Sequence, residues 1–460
     1  MSSISEQIAA LEKELSTCIN GYISRKVISG KKRFYLQWTE NGKLKSRYIK
    51  ADELETVRTS VERRQQIQKT LKELKATPDG VKTENRKRKA VRNMQSITGA
   101  LMSEDRVIAT VKNGSIIEAD ERLLPLYLKR TRNIEGWLAS RAIDSHRTNS
   151  RLLKRALRLR TTDDVQTALA VNAATVTDRY WFRPEGSTAV YEDIRFKENY
   201  FAELALRGDP DSFSNRPSRT PELTNTGSFE KCWKLIDGVW WMYKSGNENE
   251  YFSELFICQL GEKLGLPMAH YEMDGQYIRS KDFTDGGAVN FEPMRALVDD
   301  DEDYETCFRV LNDLSPEIAA QYLRLLWMDS VCYNMDRHTE NFGLLREVKT
   351  GKILSLAPNY DNNIALIAKG YPSDVHREHD GLIGFLKTFM ASCEEAHEMY
   401  RRMKLPEITE SIIRECLEEI AIEVDRDYIR TFILCGQAKV REMIDQDAQP
   451  SEDNAPGLML

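Results

Sequence analysis

The sequence has no long apolar run, no paired-cysteine motif and no internal repeat. Nowhere in its 460 residues does an apolar stretch approach the roughly 18–20 residues that span a bilayer. The opening stretch, MSSISEQIAALEKEL, is polar and amphipathic and lacks the apolar block of a secretory signal. The eight cysteines, at 18, 232, 258, 307, 332, 393, 416 and 435, are scattered, with no C-x-x-C pair. Most sit in apolar surroundings, as buried free thiols do. That argues against a disulfide framework or a zinc ribbon and predicts a reducing, cytoplasmic setting away from membranes. His376 and His379, in SDVHREHD, have a metal-like spacing but too few further ligands and read as an exposed loop.

What is present is enough for two or three domains with sizeable cores, since 41% of residues are hydrophobic and 30% charged. The net charge of −6 hides an asymmetry: residues 1–160 carry 35 Lys and Arg against 18 Asp and Glu, and the remainder carries 31 against 54. A basic front third can dock on nucleic acid or on an acidic protein face, and it can equally be a solvated helical surface.

Along the chain, residues 3–18 read as a helix. A three-stranded meander follows, GYISRKVI, KKRFYLQWT and KLKSRYI, with the hairpin signal Asn41-Gly42 at its second joint. A charged helix is predicted over about 51–75, and TPDGVKTENRKRKA reads as a linker. Residues 96–206 are expected to be mostly helical, and 207–226 is a loop rich in Pro, Ser, Asp and Asn. The tail DAQPSEDNAPGLML is expected to be disordered.

The chemistry concentrates in NMDRHTENFG, residues 334–343. It leaves a predicted helix with an apolar stripe (Ile318, Tyr322, Leu325, Leu326, Met328) and enters a strand–turn–strand, FGLLREV and KILSLAP, that leads to Asp361. The hairpin returns the chain, so Asp336, Asn341 and Asp361 should converge. Phosphoryl transfer needs such a trio: a carboxylate to orient and deprotonate a hydroxyl, and oxygen ligands for Mg²⁺. A lone D-x-x-x-x-N is common by chance, and Asn-rich turns make ordinary Asx turns. The upstream order adds weight. Gly227 and Ser228 sit in a polar loop suited to covering phosphates. Strands 229–236 and 239–244 follow around Asp237-Gly238, the second ending in Lys244. The helix at 249–264 carries Glu254, placed to pair with Lys244, with Lys231 as the competing lysine. A strand over 275–283 then leads to an adenine-receiving hinge at Ser280, Asp282 and Phe283. Arg337 could contact a phosphate or serve as a salt-bridge partner, and His338 reads as a brace of the loop.

NMDRHTENFG with LAPNYDNN resembles the HipA-like family of bacterial Ser/Thr protein kinases, whose catalytic loop reads D-R-H-x-x-N-F before an A-P-x-Y-D strand. SELFICQLGEKLGLP resembles that family's glutamate-bearing helix. The resemblance covers about residues 160–440. It implies an α+β, bilobal protein-kinase-like fold, ATP and Mg²⁺, with Asp336 as base, Asn341 and Asp361 as metal ligands, and Lys244 with Glu254 as the ion pair. It also implies a protein substrate, an antitoxin or other regulatory partner, and self-inactivation through phosphorylation of Ser228. Residues 1–95 depart from the family and form an added helix and β-meander module. The expected organisation is 1–75 basic module, 76–95 linker, 96–215 helical extension, 216–288 N-lobe, 289–446 helical C-lobe and 447–460 tail.

Two alternatives remain. Phosphoinositide kinases also carry D-R-H-x-x-N, which keeps a lipid or small-molecule acceptor open. The basic meander (Lys26, Lys31, Lys32, Arg33, Lys43, Lys45, Arg47) resembles the small three-stranded DNA-binding modules of mobile-element recombinases, so the chain could be an ATP-binding regulator that contacts nucleic acid.

Overall fold

The computed structural model describes residues 97–446, apart from 160–162, 228 and 299–302, together with most of 11–76. The chain divides into two compact units, Met1–Gln95 and Ser96–Leu460. Among the described residues no helix is long and apolar enough to cross a membrane.

The first unit is the expected meander. Strands β1 (Tyr22–Ile28), β2 (Lys31–Glu40) and β3 (Lys43–Ile49) pair antiparallel in that order. Glu40 pairs with Lys43 at the β2–β3 end of the sheet. The helix Leu54–Ala76 lays Val57 and Val61 against Leu36 and Ile49 of the sheet. Further along, Ile67 and Leu71 pack with Leu11 and Leu15. The remainder of the helix expected at 3–18, the linker beyond Ala76 and the tail beyond Gln446 lie outside the described residues.

The second unit opens with a correction. Residues 96–206 are not mostly helical: they hold a four-stranded antiparallel sheet, β6-β5-β4-β7. Its strands are β4 (Gly99–Ser103), β5 (Arg106–Lys112), β6 (Ser115–Ala119) and β7 (Tyr180–Pro184), with short helices between. The β5–β6 turn is Asn113-Gly114, both at positive φ, so the hairpin signal of the first unit recurs here. The strands are only 5–7 residues long, and such short apolar runs do not separate strand from helix by periodicity. Leu101, Ile108, Val111 and Phe182 bury one face against Trp137 and Leu138.

The next sheet, in the order β8-β9-β11-β10, is built of β8 (Lys231–Ile236), β9 (Val239–Lys244), β10 (Tyr271–Asp274) and β11 (Tyr277–Lys281). Asp237-Gly238 makes the expected turn, with both residues at positive φ. The strand expected over 275–283 is instead the second half of a hairpin, because Gly275 takes a φ of +60° and turns the chain before Tyr277.

Helix Glu248–Lys263 follows β9. Asn247 accepts from the Glu250 N–H at 3.0 Å while the Glu250 carboxylate accepts from the Asn247 N–H, a reciprocal cap that fixes where the helix starts. Its apolar face, Phe252, Phe256 and Leu260, joins one core with Tyr322, Leu326 and Val331 of helix Pro316–Cys332. Each such side chain taken fully from water contributes about 1.5–3 kcal/mol. The long helix starts at Ser315, whose hydroxyl accepts from the Glu317 N–H, with Pro316 in its first turn. It ends at Tyr333, a left-handed residue. Beyond it, β13 (Gly343–Glu347) pairs with β12 (Val289–Pro293) on one side and β14 (Ile353–Leu356) on the other, and further helices complete the lobe to Gln446. Buried Arg346 of β13 donates to the Leu124 and Arg122 carbonyls at 3.0 and 2.9 Å and pairs with Glu292, which locks this lobe to the preceding segment.

Candidate active site

The polar loop after Tyr333 folds because its side chains bond to one another. Asn334 donates to Asp329 and to Asn362, each at 3.1 Å, and its amide oxygen accepts from the Asp336 N–H. Arg337 is the hub. Its guanidinium grips the Asp329 carboxylate with two bonds of 2.9 Å. It also donates to the carbonyls of Asn341 and Tyr360, each at 2.7 Å, and to the amide oxygens of Asn359 and Asn362 at 2.8 Å. Every donor nitrogen of Arg337 is therefore committed, and of the two roles open to it the structure selects the salt bridge. His338 accepts from the Glu340 N–H through Nδ1, a brace within the loop.

These bonds bring the three expected oxygen-bearing residues together. Asn341 Nδ2 donates to the Asp336 carbonyl at 2.8 Å, which leaves its amide oxygen as the atom able to meet a cation. Arg337 Nη1 ties Asn341 to Tyr360, the neighbour of Asp361. Asp361 itself is left-handed, with φ of +61°, and its N–H donates to the Tyr271 hydroxyl. The Asp336 side chain is 37% exposed.

Of the two candidate lysines, Lys244 is the one that meets both carboxylates. Its Nζ lies 2.6 Å from Asp361 Oδ1 and 3.6 Å from Glu254 Oε2. Glu254 is fully buried, and its other oxygen accepts from the Asn362 N–H at 2.7 Å. Oε2 has no hydrogen bond, and Lys244 stands just beyond bonding range of it. The residues fit Mg²⁺ in kind: one carboxylate and one amide oxygen, with phosphate oxygens and water to complete the shell. Among the described residues no three His, Cys, Asp or Glu side chains form a metal cluster, at His376 and His379 or elsewhere.

Lys231 is also part of the site. It stands opposite Lys244 in the β8–β9 register, and a Cβ on Gly227 would fall 2.5 Å from its Nζ. Two ammonium groups thus serve one end of the sheet, one toward the glycine of the loop and one toward Asp361. Ser228 lies outside the described residues.

Electrostatics follow from burial and these pairings. Burial alone would raise the Asp361 carboxyl, but Lys244 and then Lys231 outweigh it and hold it down at about 2. Burial raises Glu254 against the pull of Lys244. Burial also raises Asp336, with His338 opposing and Asp361 adding to it, the direction that suits a base. Burial pushes Lys231 down to about 8, although Asp361 favours its charge.

The expected hinge residues divide. Ser280 is buried and lies opposite Met242 on the strand next to the one that carries Lys244. The Asp282 carboxylate is consumed by its own turn, accepting from Thr284 N–H and hydroxyl at 2.9 and 2.7 Å and from Gly286 N–H at 2.7 Å. As a nucleotide contact it has only backbone to offer. Phe283 packs its ring on Phe291 and Tyr360, with centroids 5.5 and 5.6 Å apart. Asp282 and Phe283 line a cavity of about 910 Å³ with Trp240, Met268 and His270; Lys244, Asp336 and Asp361 are not in its lining.

Comparisons with known proteins bear on this stretch. Residues 1–59 match a domain of unknown function (DUF6788). No curated protein sequence matches the chain. Among solved structures, the proinflammatory kinase CtkA of Helicobacter pylori aligns with a TM-score of 0.35 and 13% identity over 47% of this chain and 94% of its own. HipA of Shewanella oneidensis, in a complex with HipB and operator DNA, aligns with a TM-score of 0.45 and 11% identity over 76% of this chain and 99% of its own. Residues 231–426 match the HipA-like C-terminal domain. That match covers the part of the chain that holds Lys244, Glu254, Asp336, Asn341 and Asp361, and it agrees with the HipA-like resemblance read from the sequence.

Proposed function

We propose that this chain is an ATP- and Mg²⁺-dependent kinase that transfers the γ-phosphate to a serine or threonine hydroxyl of a protein. The observation that carries the reading is the position of Lys244 Nζ, 2.6 Å from Asp361 and 3.6 Å from buried Glu254. An ammonium between two carboxylates at the end of a strand beside a glycine loop is placed to receive phosphates.

In this reading Asp336 orients the acceptor hydroxyl and takes its proton. Asn341 Oδ1 and the Asp361 carboxylate would hold Mg²⁺, which when bound neutralises negative charge on the phosphates. Lys244 and Lys231 hold phosphate oxygens. Arg337 takes no part in transfer; it fixes the loop that presents Asp336. Ser228 is proposed as a self-acceptor, on the strength of the family resemblance and its place next to Gly227.

A transfer assay with labelled ATP and Mg²⁺, offering proteins, phosphoinositides and small metabolites in parallel, tests the acceptor class. The reading predicts label on protein, and on Ser228 by mass spectrometry. Label on lipid or metabolite alone would replace the protein acceptor with another.

A nucleic-acid role for the first unit is a separate proposal. Lys45, Arg47 and Lys50 are exposed on its third strand and just beyond. Binding of duplex DNA by the full chain should then weaken steeply with salt. Salt-independent binding, or none, would remove it.

A further inference from the structure

We propose that Arg147 is a positioning residue for nucleotide binding: it clamps both ends of the phosphate loop from a segment outside the HipA-like domain. This rests on the kinase reading above for its consequence, though not for its geometry.

Arg147 is 1% exposed. Nη1 donates to the Asn225 carbonyl at 3.0 Å, and Nη2 donates to the Lys231 carbonyl. Those two residues flank Gly227 and the start of β8. One planar guanidinium thus spans the two ends of a turn, which a lysine with a single head cannot do.

No carboxylate is within hydrogen-bonding distance of the Arg147 charge. Glu222 stands 3.7 Å from Nη2 and Glu230 stands 4.0 Å from Nε, and Nε has no hydrogen-bond partner. Both carboxylates are in ion-pair range and balance the charge, while the hydrogen bonds themselves go to the two loop carbonyls and fix their spacing.

Neighbours reinforce the clamp. Glu222, also fully buried, accepts from Asn225 Nδ2 at 2.9 Å and from the Trp233 N–H at 2.7 Å. Asn149 Nδ2 donates to the Glu230 carboxylate at 2.8 Å, and the Ser245 N–H donates to the Glu230 carbonyl at 3.1 Å. Residues 147, 149 and 222 thus hold the loop whose glycine and lysine face the phosphates. Arg147 is remote from Asp336 in role: it meets the backbone of Asn225 and Lys231 and bonds none of Lys244, Asp336, Asn341 and Asp361.

The test compares Arg147→Lys and Arg147→Met with Arg141→Lys. Arg141 is a buried arginine of the same segment that grips Asp178 with two bonds, 2.8 and 2.9 Å, and touches no loop residue. Two measurements are made on the full chain. The first is hydrogen exchange at the Gly227 and Phe229 amides without nucleotide. The second is KM for ATP against kcat. We expect exchange at both amides to quicken about tenfold in R147K, with KM for ATP rising by a similar factor and kcat moving less than about threefold, since one lost charge-assisted bond is worth that ratio. R147M should show more of both, and R141K neither. If R147M does not fold, R147K alone decides. Unchanged exchange and unchanged KM in folded R147K would overturn the proposal. Should the wild-type chain transfer no phosphate, the kinase reading fails, and the exchange measurement still decides the clamp.

Discussion

Two loops meet at the candidate active site, and each is braced by a buried arginine, but in opposite ways. The catalytic loop carries its own: Arg337 lies within it, bonds both oxygens of Asp329 and satisfies nearby carbonyls and amides. The proposed phosphate loop borrows one, because Arg147 comes from about eighty residues upstream and meets carboxylates only at ion-pair distances of 3.7 and 4.0 Å. A self-contained loop keeps its shape wherever its helix and hairpin are intact. A borrowed brace makes the loop depend on the packing of another segment; under the proposed kinase function, nucleotide binding would then be open to change without touching transfer.

The contrast can be broken from either side. Arg337→Ala should cost the most, about 3–5 kcal/mol of stability, because it leaves the buried Asp329 carboxylate uncompensated. A denaturant midpoint close to wild type would contradict the self-contained brace. Asp361→Asn should leave the fold intact and reduce transfer by roughly a hundredfold to a thousandfold, the range for one electrostatic group at a reacting centre. Its check is a single-turnover rate at saturating Mg²⁺; a rate within a few-fold of wild type would remove Asp361 from the site. The Arg147 substitutions come next, with their tenfold shift in KM.

Lys231 gives the smallest effect. With its pKa at about 8, it is protonated at pH 7 and neutral at pH 9. The phosphates should therefore bind less well as pH rises, and KM for ATP should increase by up to about fivefold across that interval, as for a half-exposed ion pair. Lys231→Met should flatten the profile at the high-pH value. A wild-type profile flat from pH 7 to 9 would show that Lys231 does not meet the phosphates.

The same contrast explains how much of the molecule is legible in its sequence. The catalytic loop is legible because its partners are local: Asp336 and Asn341 are five apart, and a hairpin returns Asp361. The Asp237-Gly238 turn and the helix with Glu254 are legible for the same reason. Arg147 is not, since nothing in DSHRTNS distinguishes a buried clamp from a surface arginine. Strands β4–β7 escape the sequence for a different reason. Asn113-Gly114 is as plain a hairpin signal as Asn41-Gly42, but the strands are short and the surrounding helices set the expectation. Asp282 shows the limit of residue type alone: a carboxylate at the hinge position spends both oxygens on its own turn.

The central claim is that Asp336 is the base of a phosphotransfer centre built around Lys244, Asn341 and Asp361. Its most direct test is phosphate transfer from labelled ATP by purified wild type and Asp336→Asn, at equal folded concentration and with Mg²⁺. The account predicts transfer by wild type and a loss of about a hundredfold to ten-thousandfold in the variant, with nucleotide binding retained. Full transfer by Asp336→Asn would contradict it.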